Sequence, residues 1–218
     1  MQIRTSSCSR RKHFEICLTF DPDVAAKADV ERLKAFFEAS VAKGAKFRAG
    51  QTFQIGWMTT LFVQRADGDL GITEPDFASL PIRATESVTS TVKHLRLQRD
   101  VCGGFGLADE EEFPSIRDSA IVAIDVPQGC EELFLARSAP SDGDSGWFIG
   151  PRETDLDYRE ASNLRRCSLY EIAMLVPASI RFLALPEGFE VMLSGGTARY
   201  KRFGEDVVPS PDAVVDQW

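Results

Sequence analysis

Asp142-Gly-Asp-Ser-Gly-Trp147-Phe-Ile149, Ser168-Leu-Tyr-Glu-Ile-Ala-Met-Leu-Val176 and Leu183-Ala-Leu-Pro186-Glu-Gly188-Phe-Glu-Val-Met-Leu193 follow one another in the second half of the chain. In the middle segment Leu169, Ile172, Ala173 and Val176 fall on one face at a 3.6-residue period, which predicts an amphipathic helix. Ser168 stands before them as an N-cap, and Glu171 three residues later completes a capping box. Pro177 stops the helix, because it offers no backbone N–H and clashes with the turn before it. The outer segments are apolar and end at Gly and Pro turns, so the whole reads as strand, helix, strand.

Working outward, Ala120–Val126 and Leu133–Arg137 read as strands separated by a Pro127-Gln-Gly129 turn, and Tyr200–Phe203 adds an edge strand. From Gly204 onward Pro209 and Pro211 lie among acidic residues, and a disordered tail is expected. Upstream, Phe14–Phe20 alternates apolar and polar residues as a half-buried strand does. Asp21-Pro22 reads as N-cap and first helical residue. A helix then runs to Lys43, with Val30, Leu33, Phe36, Phe37 and Val41 inward and Gly44 as its stop. Gln51–Gln64 and Leu70–Thr73 form strands around an Asp67-Gly68 turn, ended by Glu74-Pro75-Asp76. Thr85–Asp100 is a second helix, with Val88, Val92 and Leu95 inward.

Cys102-Gly-Gly-Phe-Gly106 reads as a flexible hinge, and with the charge block Asp109–Glu112 and Pro114 it marks a linker or domain boundary. The expected architecture is α+β, two small antiparallel sheets each covered by helices. An N-terminal domain would span 12–104, a C-terminal domain 116–203 and the tail 204–218.

Composition is that of a globular protein, 44% hydrophobic and 27% charged among 218 residues. No apolar run reaches the roughly 18 residues of a membrane span. The basic Arg10-Arg-Lys12 lacks an apolar stretch behind it, so no signal peptide is read. Five scattered cysteines, Cys8, Cys17, Cys102, Cys130 and Cys167, argue against a disulfide framework and fit a reducing cytoplasm. Charge is uneven. Through Ala108 there are 15 Lys and Arg against 12 Asp and Glu; from Asp109 onward there are 10 against 21. An acidic second half is either a solvated surface or one that repels nucleic acid and anionic membrane and steers a basic partner toward itself.

Gly143-Asp-Ser-Gly146 resembles the nucleophile motif of chymotrypsin-like serine proteases, but the chain has only His13 and His94 to act as base, and Trp147 replaces the glycine that helps to form the oxyanion hole. Asp142, Asp144 and Glu153 match positions 1, 3 and 12 of a calcium loop, yet Trp147 occupies the position that needs glycine for its sharp turn. No Cys-x-x-Cys or His-x-x-x-His pair offers zinc a site. Gly103-Gly-Phe-Gly106 lacks the Lys-Ser or Lys-Thr of a phosphate loop. His94, between Ser90 and Gln98, reads as a solvated surface residue. No catalytic residues, metal ligands or cofactor are therefore expected.

A Gly-Trp strand, an acidic segment, a helix, a proline and a Leu-Pro-x-Gly-Phe turn into a last strand resemble immunity-protein family thirty-three, bacterial proteins that neutralise toxins of competing cells. The matching residues are Ser145, Gly146, Trp147, Asp155, Asp157, Leu169, Ile172, Pro177, Leu183, Leu185, Pro186, Gly188 and Phe189. The resemblance implies a non-enzymatic protein whose partner is a cognate toxin. Strand tryptophans usually pack in cores. Were Trp147 instead an interface anchor, Asp142, Asp144, Glu153, Asp155 and Asp157 would form its charged rim. Two other readings stand beside this one. One is an adaptor or chaperone for a secreted effector; the other is a small enzyme using Asp142, Asp144 and Asp157 as acid and base.

Overall fold

The computed structural model describes residues 1–79 and 81–213. The chain divides into two compact units, 1–96 and 97–218, and each has its own sheet.

The first unit contains β1 (Gln2–Arg4), β2 (Ile16–Thr19), α1 (Lys27–Ala42), β3 (Thr52–Ile55), β4 (Met58–Gln64), β5 (Leu70–Asp76) and β6 (Arg83–Thr85). Its strand order is β1-β2-β5-β4-β3, with β6 on β5. Val30, Leu33, Phe37 and Val41 of α1 are buried in one core with Ile16, Leu18, Phe62 and Ile72. Phe37, Phe47, Phe53 and Phe62 meet there with ring centroids 5.0–6.3 Å apart. Phe36, expected inward, is 48% exposed. The buried positions 30, 33, 37 and 41 define the inner face, and 36 lies about 100° around the helix from 37. The Asp21 carboxylate accepts the N–H of Asp23 in a local turn, so α1 starts at Lys27 rather than at Pro22.

The helix α2 (Thr89–Gly104) carries the division between the units. It starts later than expected, because Arg83–Thr85 pairs with β5. The buried Glu74 carboxylate then accepts the N–H groups of Ser90 and Thr91 at 3.0 and 2.7 Å, capping the new start. It also ends later. Gly103 and Gly104 remain helical behind buried Val101 and Cys102. Phe105 then packs edge-on against Phe189 and Tyr200. With Leu107 buried and the Glu112 N–H on the Ala184 carbonyl, the segment expected to be a flexible linker is docked on the second unit.

The second unit continues with β7 (Ser119–Ala123), β8 (Leu133–Arg137), β9 (Asp144–Pro151), β10 (Leu164–Ser168), α3 (Leu169–Leu175), a 3-10 helix (Pro177–Phe182), β11 (Phe189–Ser194), β12 (Thr197–Arg202) and β13 (Glu205–Val207). The order is β10-β7-β9-β8-β11-β12-β13. The capping box forms as read: the Ser168 hydroxyl accepts the Glu171 N–H while the Glu171 carboxylate accepts the Ser168 N–H at 2.9 Å. Gly188, at φ +87°, leaves room for the Phe203 ring, which would stand 2.5 Å from any Cβ there.

The architecture is α+β, but neither sheet is purely antiparallel. β2 pairs with β5, and β7 with β9, in parallel. Both parallel partners join strands separated by other elements, a placement that strand-by-strand alternation does not encode. Beyond Gly204, Glu205–Val207 pairs with β12 through a tight turn at Phe203 and Gly204, in place of an irregular tail; the expected tail beyond Ala213 lies outside the described residues. Among the described residues no helix is long and apolar enough to cross a membrane.

Candidate functional site

The two faces of the second sheet differ in what they bury. On the inner face Val122, Leu133, Leu135, Trp147, Ile149, Val191 and Leu193 have at most 1% exposure. On the outer face the alternating positions Ile121, Phe134, Ala136, Phe148 and Met192 are half-buried. Register joins them: Ile121 and Ala136 flank Phe148, while Gly150 and Met192 flank Phe134. Phe134 and Phe148 lie 6.2 Å apart, and Tyr158 covers one side of Phe148 at 5.2 Å. Gly150 has no side chain where the Tyr158 hydroxyl approaches, since a Cβ there would come within 3.0 Å of it. The result is an apolar stripe across β7, β9, β8 and β11. Ionic pairs border it, Arg166 with Asp144 at 2.7 Å and Arg152 with Glu132 at 3.2 Å.

The residues proposed as one rim do not form one cluster. Asp142 is exposed in the tight turn that Ser141 and Asp144 close by mutual backbone hydrogen bonds. Asp144 opens β9, where its carboxylate binds Arg166 and accepts the Gly146 N–H. Glu153 lies past the other end, paired with Arg152 at 2.7 Å, and exposed Asp155 and Asp157 follow in the loop. The strand between them holds 8 residues, or about 25 Å at 3.3 Å per residue.

Trp147 is corrected from interface anchor to core residue. It is 1% exposed, and its indole N–H donates to the Leu183 carbonyl at 3.2 Å. Alternation on β9 turns it inward, the opposite face from Phe148.

Sequence reading missed Arg137. Its guanidinium lies over the Trp147 ring at 5.7 Å and donates to the carbonyls of Ser145, Glu112, Leu183 and Leu185. Burial lowers its pKa, and the nearby Glu112 carboxylate opposes that shift. This buried cation ties the end of β8 to the Leu183–Leu185 turn and to the acidic segment before β7. A lone charged residue ending the apolar run Leu133–Ala136 was the signal for it.

The Ser145 hydroxyl is buried and donates to the Ser119 carbonyl, and both histidines belong to the first unit. His94 is not a surface residue. It is 9% exposed, with Trp57 and Phe77 rings each 5.6 Å from its own, and burial lowers its pKa to about 4. Its Nδ1 has no hydrogen-bond partner among the described residues. His13 holds a fixed tautomer: Nε2 accepts the Phe47 N–H at 2.8 Å, so Nδ1 carries the proton and donates to the Phe14 carbonyl. Among the described residues no three His, Cys, Asp or Glu side chains are grouped to hold a metal ion.

A family model described as the Imm33-like domain matches residues 97–207. No curated protein and no solved structure matches the chain.

Proposed function

The chain belongs to the family of the Imm33-like domain, and from that membership we propose that it is an immunity protein that binds a cognate toxin and neutralises it by occlusion. The family match carries this reading. The outer face of the second sheet supports it, because a contiguous half-buried stripe of Phe134, Phe148, Ile121 and Met192 supplies the apolar centre that a stable interface needs. Asp142 and Asp144 at one end of β9, and Glu153, Asp155 and Asp157 beyond the other, flank that centre with carboxylates. With 21 acidic against 10 basic residues from Asp109 onward, this half suits a basic toxin domain and speeds encounter with it. Trp147 and Arg137 contribute from behind, by holding the sheet and the turn after α3 in place. The protein acts in the cytoplasm, where its free cysteines remain thiols.

Co-expression with the toxin encoded beside its gene tests the proposal. Rescue of growth together with a purified stable complex is the expected result. A toxin that still kills, but is secreted only when this protein is present, would establish an adaptor instead.

A further inference from the structure

Repulsion of nucleic acid by the acidic second half does not extend to the residues through Ala108, which carry 15 Lys and Arg against 12 Asp and Glu. Within the first unit those cations are concentrated. Arg10, Arg11 and Lys12 are exposed on a one-turn 3-10 helix and the residue after it, and Lys43, Lys46 and Arg48 are exposed just past α1. Two bonds hold the segments side by side. The Lys46 ammonium donates to the Arg11 carbonyl at 3.1 Å, and the Phe47 N–H donates to His13.

The basic loop is rigidly built from beneath. The buried Glu15 carboxylate accepts the backbone N–H groups of Cys8 and Ser9 at 3.3 and 2.9 Å and the Thr5 hydroxyl. The Cys8 carbonyl in turn accepts the N–H groups of Arg11 and His13. Among the described residues none of these six cations forms an ion pair with a carboxylate. A loop whose backbone is bonded in this way presents its unpaired cations together, and its backbone has little left to order on meeting an anion. Directly after it in the chain Phe14 is 55% exposed.

From this juxtaposition we infer that the face formed by Arg10–Lys12, Lys46, Arg48 and Phe14 binds single-stranded nucleic acid. The cations would follow the phosphates, and the Phe14 ring would stack on a base. Phosphate contacts alone would accept any polyanion; the exposed aromatic ring favours a strand whose bases are free to stack. This site is separate from the toxin-binding reading and stands or falls without it.

The test is fluorescence anisotropy of the full-length protein with a labelled single-stranded RNA of about 12 nucleotides. A duplex DNA of equal length and vesicles containing phosphatidylserine serve as competitors. Expected is binding at low salt that weakens more than about tenfold by physiological salt. Reversing Arg10→Glu with Arg11→Glu, or Lys46→Glu, should abolish it. Phe14→Ala should weaken it about tenfold through lost stacking, and Arg83→Glu, exposed elsewhere on the same unit, should leave it unchanged. Circular dichroism controls for folding of each variant. Absence of binding at low salt overturns the inference. So does equal competition by duplex or vesicles with Phe14→Ala silent, which would assign the patch to polyanions without stacking.

Discussion

The inner and outer faces of the second sheet carry similar residue types and do different work. Inward, Trp147 is fully enclosed, hydrogen-bonded to Leu183 and covered by the Arg137 guanidinium. Outward, its neighbour Phe148 meets the Phe134 and Tyr158 rings and stays half-buried. The difference shows that an aromatic residue on a strand cannot be assigned to core or interface by type. One step along the backbone reverses the answer, because successive side chains point to opposite faces. Substitutions inside should therefore change stability, and substitutions outside should change binding.

Trp147→Ala should have the largest effect, a loss of roughly 3–5 kcal/mol from the cavity it leaves. Denaturant unfolding measures it. Toxin affinity per folded molecule should be unchanged, and a weakened toxin complex from fully folded protein would break the distinction between the faces. A second large effect belongs to the first unit. His94 has its pKa lowered from 6.5 to about 4 by burial, so the unfolded chain takes up the proton first as pH falls. Its contribution is complete above pH 6.5, declines below it and is lost once pH passes the folded value, a total of about 3 kcal/mol. His94→Gln should flatten the stability profile between those two pH values. Arg137→Met should cost less, about 2 kcal/mol, since it removes a donor from the Glu112 and Leu185 carbonyls, while Leu183 keeps the Trp147 N–H, and relieves a buried charge. Hydrogen exchange should rise in the Leu183–Leu185 turn before it rises in β11.

Local features were readable in the sequence. The helix Leu169–Leu175, its capping box and the limits of β8 follow from spacing within a few residues, and they form as read. What depended on distant partners was not. The parallel pairing of β7 with β9 joins strands that flank β8 in sequence. The polar neighbours Ser90 and Gln98 pointed His94 toward solvent, although Trp57 and Phe77 cover it from elsewhere in the fold. Two glycines suggested a hinge at Gly103, where buried Cys102 and the packed Phe105 keep the chain helical and docked.

For the candidate site the acidic residues were visible as a run, but β9 places them at its opposite ends. The outer stripe was present in the unbroken apolar runs Leu133-Phe-Leu-Ala136 and Trp147-Phe-Ile149. Both faces being apolar there, the pattern did not tell inside from outside.

The most direct test of the account is the affinity of the purified toxin for a Phe134→Ala, Phe148→Ala double variant, measured by calorimetry beside its melting temperature. A fall in affinity of about a hundredfold or more, with the protein still folded, is predicted from loss of the central aromatic contacts. An unchanged affinity in the folded variant would contradict the placement of the toxin on the outer face.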